Sequence, residues 1–167
     1  YRNKSKPIVL ITGCVAQAEN SEMLKREPFI DAVIGPQSYH RLPIILRELD
    51  KKKNKINSTD FDVIEKFDKL SYIKNNQSKV SAFITVQEGC DKFCNFCVVP
   101  YTRGPEHSRS PKEILTEAKK LISNGAKEIT LLGQNVNAYE YDNLRLSNLI
   151  LEIEKIPEIL RIRYATS

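Results

Sequence analysis

The chain has 167 residues, enough for one ordinary domain or for pieces of two. With 41% hydrophobic and 28% charged residues it has the composition of a globular protein. No apolar run approaches the about 20 residues that cross a bilayer, and no basic-then-apolar segment opens the chain, so membrane and secretory classes are set aside.

The net charge of +5 favours a polyanionic partner such as RNA or DNA, or else reflects only a lysine-rich surface. Cytoplasmic residence is expected. A start at Tyr1 and a strand-like finish over Ile159–Ser167 suggest a piece of a longer chain.

The run Ile8-Val9-Leu10-Ile11 suits a strand buried on both faces of a parallel sheet. Gly13-Cys14 follow at its carboxyl end. A helix is predicted from about Ala18 to Arg26, stopped by Pro28, and then a short strand Ala32–Ile34 closed by Gly35-Pro36. Leu42, Ile45, Leu46 and Leu49 recur at helical spacing and predict a helix over Tyr39–Asp50. This β-α-β-α order is the tail of an open α/β sheet. Residues 51–78, with Lys51-Lys52-Lys53-Asn54-Lys55 followed by polar residues mixed with Phe61, Phe67 and Leu70, break the rhythm and read as a linker.

A second unit begins at Lys79. Ala82–Val86 is a predicted strand, and a cysteine-bearing loop runs from Gln87 to about Ser108. Ser110-Pro111-Lys112-Glu113 is a helix start, with serine as cap, proline in the first turn and Glu113 reaching back. Ile114, Leu115, Ala118, Leu121 and Ile122 stripe that helix, and Gly125 ends it. Ile129–Leu132 is the next strand and 133–141 a polar loop. A helix marked by Leu146, Leu149, Ile150 and Ile153 follows. Leu160, Ile162 and Tyr164 alternate with Arg161 and Arg163 in a third strand. Two consecutive right-handed βαβ units with parallel strands result. Their functional loops are expected beyond the carboxyl ends of the strands.

The chemistry concentrates at Cys90-Asp91-Lys92-Phe93-Cys94-Asn95-Phe96-Cys97. Three thiols within eight residues are too crowded for a disulfide framework and suit metal ligation. Three thiolates on one loop can hold three corners of a cubane iron–sulfur cluster, and the fourth iron then lacks a protein ligand and is open to a small molecule. Zinc is the alternative, although structural zinc sites favour two separated ligand pairs and the fourth cysteine, Cys14, lies far upstream. A non-catalytic zinc-binding nucleic-acid module therefore stays in competition. A coloured, iron-containing protein would exclude it.

The three-two spacing, Phe96 before the last cysteine, and the position after the first strand of a βα repeat are similar to the radical S-adenosylmethionine (SAM) superfamily. Val98–Gly104, Ser108-Arg109 and Leu132-Gly133-Gln134-Asn135-Val136-Asn137-Ala138-Tyr139 resemble its methylthiotransferase family. Gly13-Cys14-Val15-Ala16-Gln17 resembles the segment carrying the third cysteine of that family's N-terminal cluster. Gly35-Pro36-Gln37, His40-Arg41-Leu42-Pro43 and Glu65-Lys66-Phe67-Asp68 are closest to its tRNA-modifying branch.

The resemblance implies an α/β chain. Residues 1–50 would be the C-terminal part of an open α/β N-terminal domain, 51–78 the linker, and 79–167 the first three βα units of a radical SAM partial TIM barrel. It implies two 4Fe–4S clusters in the full-length enzyme, with SAM as cofactor. Cys90, Cys94 and Cys97 would hold the radical cluster, and Cys14 would contribute to the auxiliary one. The implied reaction adds a methylthio group to carbon 2 of an isopentenylated adenosine beside the tRNA anticodon. A reductant such as flavodoxin or ferredoxin and a monomeric state are expected. A sister branch instead modifies a ribosomal-protein aspartate. No cysteine precedes Cys14, so this stretch by itself is expected not to assemble the auxiliary cluster or turn over.

Gln134, Asn135, Asn137 and Arg103 are candidate SAM contacts. Arg103 and Arg109 suit a SAM carboxylate or a tRNA phosphate. Tyr101 would line the pocket or pack, and the lone His40 and His107 read as structural or solvent-facing. Glu88 and Asp91 flank the cysteine loop without any inferable pairing.

Overall fold

The computed structural model describes residues 7–52, 54–60 and 80–166. Phe61, Phe67 and Leu70, and the Glu65–Asp68 segment, lie outside the described residues. The chain divides into two compact units, one of Tyr1–Leu70 with Tyr101–Arg103, the other of Ser71–Pro100 with Gly104–Ser167.

The first unit alternates β1 (Leu10–Thr12), α1 (Cys14–Arg26), β2 (Ala32–Ile34), a 3-10 turn over Pro36–Arg41, α2 (Leu42–Lys52) and β3 (Ile56–Ser58). The strands form a parallel sheet in the order β1-β2-β3, with Leu10, Ala32 and Ile56 in register. Val33 packs with Ala16, Met23 and Ile30 in one cluster, while Ala32 and Ile34 pack with Ile45 and Leu49 in another. Successive side chains of β2 thus feed separate cores.

Burial on both faces therefore belongs to β2, which is wholly buried, and not to β1 as the apolar run predicts. The reason is position: β2 has a strand on each side, β1 on one. α1 also starts at Cys14, four residues before the predicted Ala18, and carries a kink at Asn20, whose φ is +52°.

β3 falls inside the predicted linker. Ile56, Asn57 and Ser58 hold only one apolar residue, so no hydrophobic pattern announces a strand, and pairing to β2 makes it one. Lys55, from the lysine run, donates from Nζ to the Leu24 carbonyl at 2.7 Å and the Glu27 carbonyl at 3.4 Å, serving carbonyls near the end of α1.

The second unit contains β4 (Ser81–Thr85), β5 (Gln87–Glu88), α3 (Val99–Arg103, its last three residues counted with the first unit), β6 (His107–Ser108), α4 (Pro111–Ser123), β7 (Glu128–Leu132), β8 (Glu140–Tyr141), β9 (Leu144–Arg145), α5 (Leu146–Glu154) and β10 (Arg161–Tyr164). β4, β7 and β10 form a parallel sheet with β7 central, as two successive βαβ units require. Ile84, Ile129 and Leu131 meet Ile114, Ala118 and Ile122 of α4 and Leu149 and Ile153 of α5 in one buried cluster.

Local differences from the sequence reading have local causes. Ser110 makes no side-chain cap hydrogen bond, and the Glu113 carboxylate lies 3.9 Å from Arg109 Nε. The polar loop after β7 contains a 3-10 turn over Val136–Ala138 and the β8–β9 hairpin. Asp142 and Asn143, both at positive φ, form the hairpin turn, a conformation these residues tolerate. The alternation does not bury Tyr164 of β10 or Leu160 just before it; both are exposed, and among the described residues β10 has a strand partner on one side only.

Candidate functional site

The cysteine loop leaves the carboxyl end of β4 and returns through β6, which pairs antiparallel with β5 so that Gln87 faces Ser108 and Glu88 faces His107. This short ribbon closes the neck of the loop. Beyond it Cys90 donates its N–H to the Gly104 carbonyl at 3.2 Å, and Glu106 donates its N–H to Asp91 Oδ1 at 3.2 Å. Gly89 has φ +79°, and a Cβ there would stand 1.9 Å from the Pro105 carbonyl oxygen, so both its backbone angle and its surroundings require glycine.

Between these fastenings the loop is irregular and outward-facing. Cys94 is exposed, and Cys90 and Cys97 are half-buried free thiols. Cys97 donates its N–H to the Cys94 carbonyl at 3.0 Å, which closes a turn between the last two cysteines. Phe93 takes a positive φ of 46°, and Phe96, 96% exposed, projects beside Cys97.

Among the described residues no three His, Cys, Asp or Glu side chains already converge at metal-holding distance. The donor set nonetheless fits an iron–sulfur cluster. It offers three thiols with no disulfide between them, on a loop with fastened ends and solvent-accessible side chains. Cys14 is the first residue of α1 in the other unit, also a half-buried free thiol.

A buried polar network underlies the loop. Gln87 is wholly buried. Its Nε2 donates to the carbonyls of Gly89 at 2.7 Å and Glu88 at 3.2 Å, and its Oε1 accepts the Asn135 N–H at 3.0 Å. In the other direction Gln134 Oε1 accepts the Gly89 N–H at 2.9 Å. Asn135 is buried, and its Nδ2 donates to Glu106 Oε1 at 2.9 Å. The two strand-end loops approach so closely that a Cβ on Gly133 would fall 2.7 Å from Gln87 Oε1 and 2.8 Å from its carbonyl oxygen. Gln134 and Asn135, singled out in the sequence, thus meet the cysteine loop through its backbone, and Asn137 is exposed two residues on.

Arg109 is 7% exposed. Its Nη1 donates to the Thr85 carbonyl at 2.7 Å and to Glu117 Oε2 at 2.9 Å, so it ties the loop's exit to β4 and α4. Arg103, half-buried at the end of α3, accepts the Gln37 amide on its carbonyl at 2.9 Å within the first unit. Tyr101 is exposed, and His40 and His107 are half-buried. Glu88 is buried and Asp91 exposed.

Sequence reasoning gave no role to Gln87, Glu106 or Tyr139, although Gln87 opens the cysteine-bearing loop and Tyr139 closes the Leu132–Tyr139 motif. The Tyr139 hydroxyl donates to the Arg109 carbonyl at 2.8 Å, and burial pushes its ionisation up to about 12. The only written signal for Gln87 was a polar residue following an apolar strand directly, which equally describes any loop.

Comparison with known proteins bears on this geometry. The chain is 60% identical to the tRNA-2-methylthio-N(6)-dimethylallyladenosine synthase of Pelagibacter ubique (strain HTCC1062), over 100% of its own length. It is 53% identical to the synthases of the same name from Wolbachia sp. subsp. Brugia malayi (strain TRS) and Ehrlichia canis (strain Jake), over 98% and 99% of its length. It spans 38% of the length of each of these relatives. Residues 84–167 match the Radical SAM superfamily, which implies a 4Fe–4S cluster and SAM. That match takes in the cysteine loop, the loop after β7 and the parallel sheet beneath them, and it covers half of the sequence: the chain belongs to the radical SAM superfamily.

Proposed function

We propose that this chain is part of a tRNA methylthiotransferase that adds a methylthio group to carbon 2 of N6-isopentenyladenosine beside the anticodon. The observation that carries the reading is the three-thiol loop at the carboxyl end of β4, in a chain 60% identical over its whole length to a protein named for that reaction. Residues 1–50 would close the family's N-terminal domain, 51–78 would be the linker, now with β3 belonging to the first sheet, and 79–167 would open a partial TIM barrel.

Cys90, Cys94 and Cys97 would hold three irons as thiolates and leave the fourth open to SAM. The chemistry the cluster supplies when bound is one-electron cleavage of SAM, which yields a radical able to break an unactivated C–H bond. The protein's share is to place the thiols and to keep water and side reactions away. Cys14 would be one ligand of a second, auxiliary cluster. Of the four candidate SAM contacts, Asn137 is exposed, whereas the Gln134 side chain is engaged with the Gly89 N–H and that of Asn135 with the Glu106 carboxylate. The partners are tRNA and a flavodoxin- or ferredoxin-like reductant, and the enzyme acts as a monomer.

Reconstituted without oxygen, this chain should take up about four irons and four sulfides. Replacing Cys90, Cys94 or Cys97 with alanine should abolish uptake, and Cys14→Ala should leave it intact. A colourless, zinc-loaded chain sinks the cluster assignment. Nucleosides from the tRNA of a strain lacking the gene should have lost the methylthio group. Unaltered tRNA alongside an unmodified ribosomal-protein aspartate would transfer the chain to the sister branch.

A further inference from the structure

We infer that Gln87 and Gln134 are positioning residues that clamp Gly89 from opposite sides and so set where the cysteine loop begins. Gly89 precedes Cys90 directly. Its N–H is held by Gln134 Oε1 at 2.9 Å and its carbonyl by Gln87 Nε2 at 2.7 Å, so both of its hydrogen-bonding groups are engaged by side chains. Both peptide planes flanking its α-carbon are thereby oriented, at a residue whose φ of +79° an ordinary side chain rarely adopts.

The clamp is reciprocal. Gln87, from the first strand-end loop, also accepts the backbone N–H of Asn135 in the second, and Gln134, from the second, accepts the backbone N–H of Gly89 in the first. A glutamine amide can donate from one end and accept at the other. Gln87 does both, and it is wholly buried, where an unpaired amide group is costly to leave. Gly133 supplies the room, since any side chain there would enter the Gln87 position. The direction in which Cys90 leaves the strand is therefore fixed by two residues that are not ligands. Its carriage toward an iron–sulfur cluster rests on the function proposed above.

The test uses the whole chain in two states. Without iron, amide hydrogen exchange at Gly89 should rise about tenfold in Gln134→Met, the scale of one lost hydrogen bond. It should return to within about twofold of wild type in Gln134→Glu, which keeps the acceptor. Gln87→Met should free the Asn135 amide in the same way. Exchange at Ile129 in β7 should not change, which separates release of the clamp from unfolding. Should Gln134→Met fail to fold, Gln134→Asn, which draws the acceptor back by one methylene, replaces it with the same expectation.

With iron and sulfide, Gln134→Met should keep its iron content and show a shifted or broadened electron paramagnetic resonance signal in the reduced state, while Gln134→Glu restores the wild-type signal. Unchanged Gly89 exchange in the methionine variant overturns the clamp. Altered exchange with an unaltered cluster signal overturns its reach to the cysteines. A wild-type chain that takes up no cluster defeats the proposed function instead, and Gly89 exchange then decides the clamp on its own.

Discussion

Tyr139 shows how a single side chain fixes the exit of the cysteine loop. Its ring lies in the same core as Val136 and Leu149, and its hydroxyl reaches the Arg109 carbonyl. Burial raises its ionisation from the ordinary 10.0 to about 12, so the folded protein keeps the phenol neutral and donating. An acid whose ionisation is raised by folding adds stability that is whole below the unfolded value and is lost as pH climbs from 10.0 toward 12. Tyr139→Phe should cost about 1 kcal/mol at neutral pH and flatten the alkaline fall in the urea midpoint. An alkaline fall as steep as the wild type's would refute the assignment. Residues of this kind were the least legible from sequence. The cysteines announce themselves by spacing, whereas Gln87, Tyr139 and Gln134, the last singled out in the sequence for another role, act through backbone groups of residues 1 to 48 positions away, and no spacing encodes such partners.

At the scale of elements, the second sheet is laced at one end by a carboxylate. Glu128, the first residue of β7, accepts from Ser81 Oγ on β4 at 3.0 Å and from Arg161 Nη1 on β10 at 3.1 Å, with Arg163 Nε 3.4 Å away. The Ser81 hydrogen bond is the largest influence; burial opposes it, and Arg163 and Arg161 add to it, so that the carboxyl is held below the usual 4.5. The contribution is therefore complete above 4.5 and disappears as pH drops through the folded value. Glu128→Gln should lower the urea midpoint at neutral pH and shallow its decline on acidification, and added salt should shrink the difference. Parallel decline of the two proteins would count against the lacing. The strands this residue joins were readable, since β4 and β7 have apolar patterns and helices of clear periodicity around them. β3 and the β8–β9 ribbon were not, because one pairs through its backbone with little apolar content and the other is two residues per strand.

Across the whole molecule, both units repeat one scheme of three parallel strands joined by helices, which the order of apolar runs made legible in the second unit and for the first two strands of the first, whose third strand fell in the predicted linker. They differ in cover. β2 is enclosed on both faces, whereas in the second sheet the helices bury Ile84, Ile129 and Leu131 and leave the alternate position, Phe83, 65% exposed. Phe83 is in register with Thr130, and Thr130 with Arg163, so the face around it mixes apolar and charged groups beside the edge of β4 that has no strand partner among the described residues. Such an edge invites pairing between chains. For this 167-residue stretch by itself, apart from the whole enzyme proposed above to act as a monomer, Phe83→Ser should reduce aggregation in sedimentation velocity while moving stability by no more than about 0.5 kcal/mol. Association unchanged by the substitution would place the sticky surface elsewhere.

The fastened neck of the cysteine loop has one more consequence. Cys90 and Gly104 are already joined by a hydrogen bond, and Asp91 and Glu106 by another, so the fold itself draws the segment into a ring. Closing a flexible segment loses entropy that grows only with the logarithm of its length, by about 0.6 kcal/mol per doubling. Here that loss falls on folding. A guest gripping the ring from inside, as a multidentate chelate does, then meets a segment whose ends are already joined. Substitutions within the ring and cuts at its neck should therefore weaken capture for different reasons, one by removing donors and the other by restoring the slack.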